Sequence, residues 1–188
     1  MGKAAEGAIQ GAISGAKEVG LNVADATAAA TNGVLKSASE VISGTGKAGS
    51  AFIESSSGVI RSTINAVIQV GGDVGAGAQG AVLGVLQGTK AGGKEALETI
   101  SATSSSVVKG TSDVAGDVAK AAKGAVQGAI AGAKEISLDI TEAASAASTG
   151  ALKAAGEISS QAVQEVRKAV TGTISGVKVI LKEPFKSA

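Results

Sequence analysis

The chain has 188 residues and is nearly neutral, with 17 Lys and Arg against 16 Asp and Glu. It is 44% hydrophobic but only 1% aromatic, with 28 glycines, one proline and no Cys, His, Trp or Tyr. Without Cys or His there is no disulfide, thiolate nucleophile, Ser-His-Asp triad or zinc finger, and the scattered carboxylates form no calcium loop. The expectation is therefore a non-enzymatic protein with no catalytic residue, metal or cofactor.

Charges of both signs are interspersed, with no basic patch and no stacking aromatics, which argues against nucleic acid as a partner. The apolar content is too high for a disordered chain. The opening MGKAAEGAIQGAISG lacks a continuous apolar signal region, and no run is long and apolar enough for an ordinary transmembrane helix. A cytoplasmic location is the default expectation. Because the apolar residues are mainly Ala and Val, a core built from them buries little area per residue and needs close backbone approach or a partner surface.

Self-similarity organises the sequence. Residues 3–43 (KAAEGAIQGAISGAKEVGLNVADATAAATNGVLKSASEVIS) align without a gap on residues 120–160 (KAAKGAVQGAIAGAKEISLDITEAASAASTGALKAAGEISS), with roughly half the positions identical. A weaker copy begins at Gly80, 44 residues before the matching Gly124. That offset is a multiple of eleven, and eleven residues make three helical turns, so side chains return to the same helix face. The first repeat spans 1–43, a shorter helix with Gly-rich ends 44–75, the weaker repeat 76–112, and the second full repeat with a C-terminal extension 113–188.

In chain order, the first predicted helix covers 3–43. Its apolar stripe is Ile9, Ile13, Ala16, Val23, Ala30, Val34, Ala38 and Val41, with Thr27 at the one stripe position that differs in kind from the other copy, which has Ala144. Gly44-Thr45-Gly46 ends it, and a second helix follows over 48–70 until Gly71-Gly72-Asp73. A third covers 76–108 with a kink at Gly92-Gly93. A fourth covers 113–182, N-capped by Ser112 or Asp113 and stopped by Pro184. Bends are expected at Gly33 and Gly150. No period-two alternation is sustained, so no strand is predicted. The pairs Lys17-Glu18, Lys134-Glu135, Lys36/Glu40 and Lys153/Glu157 lie off the stripes and read as a solvated face.

Each copy opens with glycines four apart: Gly7, Gly11 and Gly15; Gly80, Gly84 and Gly88; Gly124, Gly128 and Gly132. Four-residue spacing aligns them as a groove along one side of a helix. Each Gly costs about 0.8–1.0 kcal/mol against Ala in a helix interior, so something must offset the ladder. Another backbone lying in the groove is the usual offset. Ile9, Ile13, Val82, Val126 and Ile130 form the adjacent apolar stripe. The ladders do not read as phosphate-binding loops, because they lie inside helical pattern and no GKS or GKT follows. Ser and Thr at 27–31, 55–57, 101–106 and 145–149 keep no eleven-residue spacing, which disfavours an ice-binding array. Val177, Val179, Ile180, Leu181 and Phe185, beside Lys178, Lys182 and Lys186, make the C-terminal segment the most membrane-like part.

The Ala-rich amphipathic repeats resemble those of late-embryogenesis-abundant proteins, exchangeable apolipoproteins and synucleins, and Lys3-Ala4-Ala5-Glu6-Gly7-Ala8 is similar to the synuclein-type KxKEGV start. That resemblance implies coil-to-helix folding on a lipid surface or on drying. From the residues themselves the expected fold class is all-α: long Gly/Ala-rich amphipathic helices, internally duplicated, packed closely through GxxxG-type faces. The expected function is that of a structural protein whose partner is itself, in a filament, sheet or tube. A lipid or granule surface, or protection against desiccation or freezing, is the alternative.

Overall fold

The computed structural model describes the backbone of residues 2–42, 48–88 and 93–181, and the side chains of 7–36, 56–88 and 93–181. The protein is all-α. Eight helices are seen among the described residues: α1 (Gly2–Glu18), α2 (Val23–Ile42), α3 (Ala48–Gln69), α4 (Val74–Gly88), α5 (Gly93–Asp113), α6 (Val118–Glu135), α7 (Ile140–Ile158) and α8 (Ser160–Val170). They are followed by a two-stranded antiparallel hairpin, β1 (Gly172–Ile174) and β2 (Val177–Val179), with Ile174 paired to Val177.

The helix predicted over 48–70 is seen as the single α3, whereas those over 3–43 and 113–182 are divided, and four of the turns between helices share one device. Where the first copy was read as one helix, Gly20 takes a left-handed φ of 73°, and the Leu21 N–H closes back on the Ala16 carbonyl at 2.8 Å. Asn22 then accepts from the Ala24 N–H, capping α2. The same sequence of events follows α3 (Gly71, then Gly72 N–H to Val67 O, then Asp73), α5 (Ala115, Gly116 N–H to Thr111 O, Asp117) and α6 (Ser137, Leu138 N–H to Ala133 O, Asp139). A left-handed residue stops one helix and an Asp or Asn two positions later starts the next. Ser112 and Asp113 therefore close α5, and the N-cap of α6 is Asp117.

Gly33 and Gly150, expected as bends, lie inside α2 and α7, which run through them. The first-helix stop at Gly44-Thr45-Gly46, Gly92 of the expected kink and the Pro184 stop fall outside the described residues. The last helix ends at Val170 instead of near Lys182. The hairpin beyond it was missed because each strand is three residues long. Its signal was β-branched Thr173, Ile174, Val177 and Val179 around Ser175-Gly176, whose φ values of 49° and 80° suit a tight hairpin turn.

Two of the left-handed positions carry side chains, Ala115 at φ 54° and Ser137 at φ 55°. The left-handed region costs an L-residue about 1–2 kcal/mol. Ala115→Gly should therefore raise stability by about 1 kcal/mol, read as a shifted thermal melt of the helical circular dichroism. An unchanged or lower melt would contradict the strain.

The helices stack in two rows, α1, α3, α5 and α7 in one and α2, α4, α6 and α8 in the other, with each helix also touching its chain neighbours across the rows. Within a row the helices run parallel, because contacts climb both sequences together. Gly80 meets Ala24 and Thr27, Gly84 meets Ala28 and Thr31, and Gly88 meets Asn32 and Leu35. This is a short solenoid-like array, in which each element contacts only near neighbours.

The core runs along the seam between the rows. Its bulky members include Ile9, Ile13, Ile60, Ile64, Leu86, Ile100 and Ile130, while α7 contributes Ala143, Ala144, Ala147, Ala151, Ala154 and Ala155. The stripe drawn through 3–43 holds for Ile9, Ile13 and Ala16. It changes phase after the Gly20 turn, so that α2 buries Ala24, Thr27, Ala28, Thr31 and Leu35. Thr27 and Thr31 are thus core residues, with the Thr31 hydroxyl 3.3 Å from that of Thr63.

Candidate interaction face

The three glycine ladders occupy the same phase of α1, α4 and α6, and each faces away from the chain that follows it, toward the preceding place in its row. On α6 that place is filled by α4. A methyl group at Gly124 would fall on the Gly75 carbonyl; one at Gly128 would meet the Gln79 carbonyl and lie 3.0 Å from Val82 Cβ; one at Gly132 would lie 2.5 Å from Leu86 Cδ1. On α4 the place is filled by α2. Gly80 abuts the Ala24 carbonyl, and a methyl at Gly84 would lie 2.5 Å from the Ala28 carbonyl oxygen and 2.8 Å from Thr31 Cβ. Gly88 is looser, with its nearest neighbours at 3.4 and 3.5 Å. Backbone-to-backbone approach of this kind lets alanine-rich helices gain dispersion and weak Cα–H···O contacts that larger side chains would prevent.

On α1 the same positions are open. Among the described residues nothing lies within 4 Å of where a methyl would stand at Gly7, Gly11 or Gly15, and all three are exposed. Ile9 and Ile13, their stripe neighbours, are fully buried on the other side of α1, as Val82, Val126 and Ile130 are on α4 and α6. The site residues named from the sequence thus separate into two filled grooves and one open groove.

Three further features of this face were not read from the sequence. Among the described residues a methyl at Gly33 of α2 would meet nothing within 4 Å, whereas its counterpart Gly150 of α7 has the Ser101 carbonyl of α5 against it. Val19 and Leu21, in the α1–α2 turn, are 71% and 63% exposed. Their counterparts Ile136 and Leu138 are packed against the core. The α1–α2 pair therefore presents to solvent the face that α6–α7 presses against α4–α5. An alignment of the two copies supplies the equivalences but not which copy has a predecessor to cover it.

The charged pairs off the stripes act between helices as well as on the surface. Lys17 Nζ donates to the carbonyls of Val70 and Gly71, placing a cation at the C-terminal end of α3. Glu135 accepts from Gln87 of α4 at 3.0 Å, Lys109 of α5 pairs with Glu157 of α7 at 2.5 Å, and Arg61 of α3 pairs with Asp113 of α5 at 2.8 Å. These contacts tie row neighbours together.

The hydrogen bond from Lys109, helped by the charges of Lys109 and Lys153, holds the Glu157 carboxyl below the ordinary glutamate range against a weaker desolvation effect. A lowered folded-state pKa gives stability that is present above the unfolded value and lost as pH falls through the folded one. Wild type should exceed Glu157→Gln in stability at neutral pH, and the difference should shrink as pH falls past the ordinary glutamate range and vanish below the lowered folded-state value. A pH-independent difference in denaturant titrations would refute this assignment.

Among the described residues no cluster of carboxylates is grouped as for a metal ion, and no helix is long and apolar enough to cross a membrane. Comparison with known proteins finds no matching family model, no matching curated protein and no matching solved structure.

Proposed function

We propose that this is a non-enzymatic structural protein that self-associates, and that the open α1–α2 face is its interface with a second copy. The observation that carries this reading is the contrast between equivalent glycines. Gly124 and Gly128 have a neighbouring backbone against them, while Gly7 and Gly11 keep the same small-residue groove with nothing in it among the described residues. The inner copies indicate what such a groove accepts, which is a parallel helix of this same repeat. The exposed Val19 and Leu21 extend the face with apolar surface of the kind that marks an interface. The apolar stripes that a lipid surface would take, Ile9 and Ile13 among them, are spent on the core. That favours a second copy over a membrane.

The test is light scattering on a sizing column over a concentration series, with refractive-index detection because the chain has no Trp or Tyr. Self-association that rises with concentration and is abolished by Gly11→Leu, with helix content retained, is the expected result. A monomer throughout the series, or association indifferent to Gly11→Leu, would overturn the proposal.

A further inference from the structure

The self-association reading leaves open which surface of a second copy enters the α1 groove, and the far end of the stack answers this. In the alignment of the two copies, α2 corresponds to α7, so that Ala24, Thr27, Ala28 and Thr31 correspond to Thr141, Ala144, Ser145 and Ser148. The α2 residues are the seat for the α4 ladder, with Gly80 and Gly84 lying on them. On α7 no following helix of its row covers the equivalent seat among the described residues. The C-terminal hairpin packs on α7 instead, with the Ser145 hydroxyl donating to the Ile180 carbonyl at 2.8 Å and with Ile174 and Val179 buried in the core. The hydrogen-bonded residue, Ser145, is the counterpart of Ala28, whose carbonyl abuts Gly84.

We infer that the hairpin is a displaceable cap on the place where the α1 ladder of a second copy docks, so that the chain assembles head to tail, α1 of one copy upon α7 of the next. This rests on the self-association reading and adds its partner surface and its regulation. The register follows from the internal α2–α4 contact, with α1 parallel to α7, Gly7 over Thr141 to Ser145, and Gly11 over Ser145 and Ser148. Parallel stacking brings the C-terminal end of α1 beside that of α7, so the exposed Val19 and Leu21 arrive near Ile158, which is itself 37% exposed, and near Gly156, where nothing lies within 4 Å. Two different terminal surfaces make a heterologous contact, which propagates unless a cap stops it. The hairpin is small enough for that task, with three residues per strand and a turn through Ser175 and Gly176.

The test uses full-length chains. Ser145→Ala removes the hairpin's hydrogen bond and restores the alanine that α2 has at this point. Gly176→Val, at a φ of 80°, strains the hairpin turn without touching α7. Together they should tighten self-association by about tenfold or more and lengthen the assemblies in light scattering and electron microscopy. Adding Gly11→Leu should return them to monomers. Association that is sensitive to Gly11→Leu but unchanged in size and affinity by the two hairpin substitutions would overturn the cap while leaving the self-association reading standing. A closed dimer in both backgrounds would likewise overturn it, because two α1–α2 faces would then be meeting each other. Absence of association in every chain would overturn self-association and the cap with it. Circular dichroism and the monomer melt separate these outcomes from simple unfolding, since α1 to α8 remain intact in the expected result.

Discussion

Gly128→Ala should destabilise the protein by about 2 kcal/mol net, although alanine is the better helix former. The propensity gain is about 1 kcal/mol. Against it, the new methyl must occupy space held by the Gln79 carbonyl and by Val82 Cβ at 3.0 Å, both on α4. Neither is the far end of a flexible side chain, so the relief available is to push α6 from α4. Overpacking of this kind costs about 1–3 kcal/mol and occasionally more, and a backbone obstacle belongs at the upper end. Gly88→Ala is the matched control, because its methyl would stand at 3.4 and 3.5 Å from Asn32 and Leu35, ordinary contact distances. It should be neutral or stabilising. Denaturant titrations followed by helical circular dichroism decide the matter, and equal destabilisation at Gly88 and Gly128 would remove the close-approach argument.

The opposite sign is expected one repeat away. Replacing Gly7, Gly11 and Gly15 together by Ala should stabilise the dilute monomer by about 2–3 kcal/mol, the sum of three helix-interior gains. No methyl at these sites meets any atom of the described residues within 4 Å. The same three methyls would stand in the groove proposed for a second copy, so the variant should associate more weakly while melting higher. That pairing of effects is what distinguishes an interface from a merely glycine-rich helix. A variant that melts higher and still associates as wild type would place the interface elsewhere. One that melts lower would mean that α1 is covered in solution by a surface outside the isolated chain.

The helical class was legible because amphipathic spacing such as Ile9, Ile13 and Ala16, repeated as Val126, Ile130 and Ala133, constrains a helix whatever it packs on. The turns were legible only in part. Gly71-Gly72-Asp73 was read as a break, but Gly20-Leu21-Asn22 and Ser137-Leu138-Asp139 were passed over because the stripe continues on both sides of each at acceptable spacing. The shared element, a left-handed residue followed two places later by Asp or Asn, emerges when Gly20, Gly71, Ala115 and Ser137 are compared. Ala115 and Ser137 carry no compositional sign of that conformation. Reading 3–43 as one helix also set the phase of α2 wrongly, which put Ala30 and Val34 beside Thr27 on the main core stripe and left Thr31 with the surface-array alternatives.

Local spacing and internal repetition determined that this chain is helical, duplicated and grooved by glycine at one phase of three helices, since those properties depend on helical geometry and residue size. Whether a groove is filled depends on what lies in the adjacent place of its row, and that is a property of the stack. Gly7, Gly11 and Gly15 look the same as Gly124, Gly128 and Gly132 along the chain. Only the tertiary arrangement separates them, because α4 lies against the α6 ladder while, among the described residues, nothing lies against the ladder of α1. The hairpin shows the same division at the other end, where six strand residues with weak local signal take their form from packing against α7.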